Sequence, residues 1–273
     1  TSERIVIIEI GEDTREKLGR FPFDRGYHAL IVDALSEYGA KAIMFDIFFS
    51  EPDKSDASFE QAIKAAGNVY LPYVLEMGNR PGQAIPQASG YSALNIAGLS
   101  KAAKGAGHIN VTPDSDGKFR RVPLFVEYRG LFSRYLSFLL ACDYLGFSQK
   151  EIKFIPFRFI QCGPEIKIPL DENSNCLVNY AGEWGRFYRH YSYADVLGSY
   201  SALRFGGKPI LDLNIFRDKI CLIGLTAAGT TDLHPNPFSS LYPALGIHAD
   251  IINSIIQRRF IARTPKAANL AVL

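Results

Sequence analysis

One carboxylate stands out because it falls inside an apolar segment. Asp46 lies within the stretch KAIMFDIFF, residues 41–49, which has the composition of a buried strand. A carboxylate there must be paired, hydrogen-bonded or protonated, because an unpaired buried charge is costly. Two interpretations remain open: Asp46 contacts a ligand or cation, or it has a structural role, capping backbone amides or pairing with an arginine such as Arg25.

Further polar residues follow other apolar segments of the chain. In an open α/β sheet, ligands bind outside the carboxyl ends of the strands, so residues that directly follow strands are the first candidates for a site. One such position follows the apolar run 4–10, a loop of small residues follows KICLIGL at 219–225, and a histidine comes at the start of a helical pattern. The candidate ligand-binding residues are Glu12, Asp46, Thr226, Gly229, Asp232 and His248.

The motifs of common enzymes do not occur in the sequence. The loop GLTAAGTTD, residues 224–232, would bring backbone N–H groups close to an anion, but it lacks the Lys-Ser/Thr ending of a P-loop and does not match GxGxxG. GxSxG and HExxH are also missing, and the five histidines lack metal-ligand spacing. We therefore expect no metal, no cofactor and no catalytic residue. A hydrolase using His248 with Asp232 or Asp46 remains an alternative.

The segments that must position these residues show two hydrophobic periodicities, one typical of strands and one typical of helices. Segments 4–10, 41–49, 69–75 and 219–225 are typical of buried strands, and segments 27–38, 56–66, 134–145, 193–203 and 243–258 of helices. The first half is a βαβαβ pattern, whereas residues 152–178 indicate two or three short antiparallel strands. The sequence predicts an α/β fold with a mainly parallel central sheet flanked by helices and an antiparallel insertion in the second half.

Charge and cysteine content narrow the functional classes. The net charge of +2 among 30 basic and 28 acidic residues argues against a nucleic-acid surface. Cys142 and Cys221 lie in apolar segments and are predicted to be buried thiols. Cys162 and Cys176 flank a predicted hairpin, and a disulfide between them in an oxidising compartment is left open.

The end of the chain has a pattern of its own. After the basic and proline-containing segment RTPK, residues 263–266, the chain becomes apolar. We interpret residues 1–265 as one domain and residues 266–273 as the start of a transmembrane helix, with a frayed helical end as the alternative.

Six ordered segments resemble the CHASE2 family over most of the chain. Residues 10–25 are similar to its opening, residues 41–53 to its Asp-x-x-Phe-x-Glu-Pro stretch, and residues 107–121 to its Asp-Gly and Arg segment. Asn-Tyr-Ala-Gly at 179–182 and the two closing segments, 219–232 and 246–249, complete the set. The chain departs from the pattern at Gly11, where the family usually has an acid, while Glu12 keeps the second acid.

The resemblance implies an extracytoplasmic sensory domain of a bacterial transmembrane receptor. Such a receptor would pass a stimulus to a cytoplasmic output such as a nucleotide cyclase, a kinase or a diguanylate cyclase. It implies a membrane location outside the cytoplasm and an unknown small molecule or ion as stimulus. We also expect a homodimer, and a ligand-free dimerisation module using the helix at 246–258 is a further alternative.

Overall fold

The computed structural model describes residues 1–78, 85–227, 229 and 233–262. The strands are β1 Ile5–Ile10, β2 Ala42–Asp46, β3 Val69–Met77, β4 Ala88–Ala93, β5 Gly105–His108, β6 Arg121–Val122, β7 Phe125–Tyr128, β8 Leu131–Arg134, β9 Ile152–Ile155, β10 Phe159–Cys162, β11 Ile166–Pro169, β12 Cys176–Leu177, β13 Arg189–Ser192, β14 Ile220–Leu225, β15 Leu233–His234 and β16 Tyr242–Pro243. The α-helices are α1 Glu12–Leu18, α2 Arg25–Glu37, α3 Asp56–Ala66, α4 Ala97–Ala102, α5 Leu136–Tyr144, α6 Tyr193–Arg204 and α7 Ala244–Gln257.

The central sheet is mostly parallel, as the sequence predicts. Its strand order is β13-β1-β14-β2-β3-β4, and β5 also pairs with β3. Every pair in it is parallel except β3 with β4. The strand β14 inserts between β1 and β2 although it comes nearly 200 residues later in the chain, which confirms that the KICLIGL segment belongs to the N-terminal sheet.

Side chains alternate across this sheet and build one core on each face. In β1, Ile5 and Ile7 pack with α5 and α7, whereas Val6 and Ile8 pack with α2, α3 and α6. In β2, Met44 belongs to the first face and Phe45 to the second. The alternation therefore turns the side chain of Asp46 towards α5 and α7.

The antiparallel insertion lies on the α5 side. The strands β9, β10 and β11 form a three-stranded antiparallel sheet, and Ile160, Cys162 and Ile168 pack into the core that contains α5. The order β11-β10-β9 puts Cys162 in this sheet, whereas Cys176 pairs with Val122 in another. All four cysteines are free and buried, and the neighbour of Cys162 is Cys142, so the hairpin placement considered for Cys162 and Cys176 is wrong.

Helix ends follow the local sequence signals. Asp24 caps α2 by accepting a hydrogen bond from the N–H of Gly26 at 2.7 Å. Gly67, with φ of 62°, ends α3 in the left-handed conformation that glycine tolerates best.

The helix α7 is buried along most of its length, its polar residues included. Residues 245–255 are all buried, between the sheet and α5. The expectation that residues 246–258 offer a dimer surface is therefore wrong for most of this helix, because its apolar groups are already covered. No helix among the described residues is both long enough and apolar enough to span a membrane. Residues 266–273, where a transmembrane start was predicted, lie outside the described residues.

Candidate functional site

Asp46 is the last residue of β2 and lies opposite Gly224 of β14. A Cβ atom at Gly224 would stand 3.2 Å from the Leu245 side chain and 3.4 Å from Asp46 Cβ. The missing side chain thus lets the first turn of α7 approach the end of the sheet beside Asp46. This close approach brings His248, one turn further along α7, to the carboxylate.

His248 and Asp46 face each other in a buried position. His248 Nε2 lies 3.7 Å from Asp46 Oδ1, and the side chains are 2% and 7% exposed. The Asp46 carboxylate accepts no hydrogen bond from any residue that the structure describes. The distance is too long for a direct hydrogen bond, so neither group fully satisfies the other.

The segment around the start of α5 holds the histidine ring. Ser137 Oγ forms a hydrogen bond with His248 Nδ1. The Tyr135 ring stacks on the imidazole, with centroids 5.2 Å apart and an angle of 18° between the planes. When the Ser137 hydroxyl donates to Nδ1, the proton of the neutral ring lies on Nε2, on the side that faces Asp46.

A second buried histidine stands behind Tyr135. The centroid of the His108 ring is 5.4 Å from that of Tyr135, and neither ring nitrogen has a hydrogen-bond partner within the described residues. Its neighbour Gly107 permits this packing, because a Cβ there would lie 2.7 Å from Leu136 Cα. The strand β5 therefore lies directly against the start of α5.

Asp46 and His248 form the polar floor of a cavity of about 340 Å³. The walls come from residues that follow the carboxyl ends of the parallel strands and from the first turns of α7, which is where an α/β sheet offers a ligand site. The other lining residues are Phe21, Ile47, Phe48, Ile109, Val111, Tyr135, Leu225, His234, Ala244 and Ile247. The wall is mainly apolar, with polar groups concentrated at the floor, as in many small-molecule sites.

Burial favours the neutral form of both groups at the floor. It raises the pKa of Asp46 from 3.8 to about 7 and lowers the pKa of His248 from 6.5 to about 3. The pKa of His108 is lowered to about 3, first by burial and then by His248. Near neutral pH, Asp46 is thus the group whose charge an arriving ligand can change.

Three of the remaining predicted residues, Glu12, Thr226 and Gly229, do not line this cavity. Glu12 begins α1 on the surface, where its carboxylate pairs with Arg15 at 3.2 Å. Thr226 follows β14 at the same edge, and its N–H donates to the Ile10 carbonyl at 3.2 Å. Gly229 is exposed with φ of 78°. Asp232 lies outside the described residues, as do residues 228, 230 and 231 of the small-residue loop.

Arg25 does not pair with Asp46. Its guanidinium forms an ion pair with Asp56 at 2.5 Å and donates to the Glu51 carbonyl at 2.6 Å. The guanidinium also lies over the Phe49 ring, 5.0 Å from its centroid. These contacts stabilise the segment after β2. Arg25 is therefore not the structural partner of Asp46.

The geometry does not support hydrolysis at this position. Ser137, His248 and Asp46 do follow one another in space, but Ser137 is fully buried and does not line the cavity. The imidazole separates its hydroxyl from the space where a substrate would enter. Among the described residues, no group of three or more His, Cys, Asp or Glu side chains is arranged to hold a metal ion.

Comparison with known families supplies the remaining observation. The family model of the CHASE2 domain matches residues 1–273, the whole chain. The chain belongs to the CHASE2 family. Neither the curated proteins nor the solved structures give a significant match. CHASE2 is an extracytoplasmic sensory domain family of signalling receptors.

The CHASE2 domain contains a second buried carboxylate on α7. Asp250 accepts hydrogen bonds from the hydroxyls of Tyr188 at 2.7 Å and Tyr242 at 2.9 Å, and from the N–H of Ala181 at 3.2 Å. Burial raises its pKa to about 6, while these donors act in the opposite direction. This carboxylate attaches the Asn-Tyr-Ala-Gly segment at 179–182 to α7.

Several residues that line the cavity or contact the rings of Tyr135 and His248 were not predicted from the sequence. Tyr135 and Ser137 lie in an apolar helical pattern that gives no sign of a polar neighbour. His234 had been counted among histidines without metal spacing, although it lines the cavity. The sequence signal that could have indicated Tyr135 was His108, which lies next to Gly107 in a segment that resembles CHASE2 and contacts the Tyr135 ring.

Proposed function

We propose that this chain is the ligand-sensing part of a bacterial transmembrane receptor, and that a small molecule binds in the cavity above Asp46 and His248. The output would be a cytoplasmic nucleotide cyclase, kinase or diguanylate cyclase. The domain itself would lie on the extracytoplasmic side of the cell membrane. Belonging to the CHASE2 family supports the sensory role.

The observation that carries the ligand site is the unsatisfied Asp46 carboxylate at the floor of an apolar cavity. A buried polar group without a partner costs about 1–3 kcal/mol, and more when it is charged. A ligand that supplies the partner is one physical reason for a protein to retain such a group, and the position of Asp46 on a cavity favours that reason here. Asp46 and His248 would fix the orientation of the ligand, and the aromatic and aliphatic wall would bury its body.

The helix α7 offers a route from the cavity to the chain ends. Its first turns contribute His248, while Asn253 near its other end accepts a hydrogen bond from the Ser2 N–H at 2.8 Å. Beyond α7, the Arg259 carbonyl accepts from Asn179 Nδ2 at 3.3 Å. A ligand that bound one position of α7 better than another would shift the populations of both, and the chain ends would follow. A homodimer would have to use surfaces other than the buried part of α7.

A thermal-shift screen tests this function. The purified chain would be screened against divalent cations, nucleotides, organic acids, sugars and amines, alongside Asp46→Asn and the matched control Glu12→Gln. Glu12 is a carboxylate at the same edge, but exposed and outside the cavity. At a ligand concentration about a hundred times Kd, a site ligand raises Tm by roughly 5–10 °C.

The expected result is stabilisation by at least one compound that Asp46→Asn abolishes and Glu12→Gln keeps. Stabilisation that persists unchanged in Asp46→Asn would place the ligand elsewhere and contradict the proposed site. A complete lack of stabilisation across all five classes would also count against it.

A further inference from the structure

The charge pattern of the cavity selects among ligand classes. Asp46 is the one acidic residue that lines the cavity in the described part of the chain, and no lysine or arginine lines it. The two histidines of the wall, His234 and His248, both have pKa values lowered by burial and are neutral near pH 7. Any charge that the described residues present to a ligand in the cavity is therefore negative.

An anionic ligand would be poorly placed here. It would give up its hydration in an apolar cavity without a cationic side chain to pair with, and it would lie beside a carboxylate. A neutral apolar ligand would cover Asp46 and leave its oxygens unpaired, which costs free energy as well. A cation avoids both penalties, because it provides the missing partner of Asp46.

The wall also suits the rest of such a ligand. Phe21, Phe48 and Tyr135 supply aromatic rings, and these attract cations when the charge lies over a ring face. The aliphatic residues Ile47, Ile109 and Val111 supply surface for an apolar body. A divalent metal ion does not fit the described lining, because it requires several oxygen ligands and the described residues give the cavity one carboxylate.

The N-terminus of α7 favours a negatively charged ligand in the cavity. The helix α7 begins at Ala244, which lines the cavity, and no side chain caps its first turn. The helix terminus carries the equivalent of about half a positive charge, spread over its first amides. A full carboxylate charge in direct contact outweighs it, so the floor remains selective for cations.

We propose that the cavity binds a small organic ammonium ion, with its nitrogen on the Asp46 carboxylate and its apolar body against the aromatic wall. This inference rests on the proposed function, since it names the ligand class of the same site. Binding requires Asp46 to be ionised, so the carboxyl gives up its proton as the ammonium arrives. The titratable groups that face Asp46 are His248 on α7, Tyr135 before α5 and His234 on β15.

Matched sets of compounds test the charge requirement. The set based on phenethylamine has 2-phenylethanol as its neutral counterpart and 3-phenylpropionate as its anionic one. The set based on butylamine has butanol and pentanoate. Affinities are measured by isothermal titration calorimetry at pH 7.5 on the unmodified chain, Asp46→Asn and Glu12→Gln. Asparagine resembles the protonated carboxyl in shape, so the fold is expected to persist, and circular dichroism checks this.

We expect an amine to bind while its alcohol and carboxylate counterparts bind at least tenfold more weakly. Asp46→Asn should reduce the affinity for the amine about tenfold or more, and Glu12→Gln should leave it unchanged. Tighter binding of an alcohol or a carboxylate than of its amine counterpart would overturn the amine proposal. If that binding were then lost in Asp46→Asn, the cavity would still be the ligand site. Equal binding of the amine by Asp46→Asn would also overturn the proposal. If no compound of either set binds, the amine class is rejected, and the wider screen then decides separately whether the cavity binds any ligand.

Discussion

Two buried carboxylates, Asp250 on α7 and Asp46 on the strand beside it, differ in how the fold treats them. Asp250 has three hydrogen-bond donors from two segments of the chain, whereas Asp46 has none among the described residues. Burial raises the pKa of both, to about 6 for Asp250 and about 7 for Asp46. The comparison teaches that burial alone does not mark a functional carboxylate. The distinguishing property is whether the protein itself supplies the partners.

The surroundings of each carboxylate explain the difference. Gly246 leaves room for the Tyr242 ring, because a Cβ at Gly246 would lie 2.3 Å from that ring. The ring packed there directs its hydroxyl to Asp250, one turn further along α7. At Asp46, the equivalent space is left as a cavity, and the nearest polar atom belongs to a histidine that is engaged by Ser137 on its other side.

Removing the Asp250 carboxylate should produce the largest change in stability. Asp250→Ala leaves two tyrosine hydroxyls and one backbone N–H buried without their acceptor, at about 1–3 kcal/mol each. We expect the free energy of unfolding to fall by about 3 kcal/mol or more, measured by urea denaturation. Glu183→Ala is the control, because Glu183 is exposed and its pair with Arg186 is on the surface. A loss below about 1 kcal/mol for Asp250→Ala would contradict a structural role.

The ionised Asp46 carboxylate, unlike that of Asp250, should destabilise the folded state, and the pH dependence of stability should show this. Its pKa in the folded state, about 7, lies above the ordinary value of 3.8, so the folded state holds a proton that the unfolded state has released. Stability from this group is therefore complete at low pH and is lost as pH rises towards 7, by at most about 1.4 kcal/mol per pH unit.

Asp46→Asn cannot titrate, so its stability relative to the unmodified chain should rise by about 2 kcal/mol between pH 5 and pH 8. Urea denaturation across this range measures the difference, in which the titration of the buried histidines largely cancels. The same series with Glu12→Gln should be flat. A flat difference for Asp46→Asn as well would mean that the carboxylate is satisfied in the folded protein, and the contrast with Asp250 would disappear.

The fold could be predicted from the sequence because its signals are local and repeated. Apolar runs such as 4–10 and 219–225 predict buried parallel strands. Asp24 caps the start of α2 and Gly67 the end of α3, as their residue types indicate. The strand β4 was not predicted, because it lies in a stretch rich in glycine and serine. The full burial of α7 was not predicted, because the polar residues Asp250, Asn253 and Ser254 are typical of a helix with one exposed face.

The candidate site could be predicted only in part. Asp46 was found because a carboxylate contradicts its apolar neighbours, and His248 because of its place at a helix start. Their separation of 3.7 Å depends on the packing of α7 against β14, which no local pattern encodes. Glu12 satisfies the same rule of strand ends, yet it begins α1 and turns to Arg15 on the surface. Position at a strand end therefore indicates the edge of the sheet but not the direction of a side chain.

Ser137→Ala should give the smallest effect and sharpen the comparison at the cavity. The change removes the one hydrogen bond that the described residues give to the His248 ring, and it leaves a buried nitrogen without a partner. We expect a loss of about 1 kcal/mol in the free energy of unfolding, less than for Asp250→Ala, since one contact is lost instead of three.

Ser199→Ala is the matched control, because Ser199 is equally buried and accepts a single hydrogen bond from the Leu211 N–H at 2.9 Å in the other layer. Both variants should lose similar stability, but only Ser137→Ala should change the affinity of a cavity ligand, because only Ser137 orients the imidazole that faces Asp46. Equal affinities in the two variants would mean that the orientation of His248 does not matter for binding and that Asp46 acts alone.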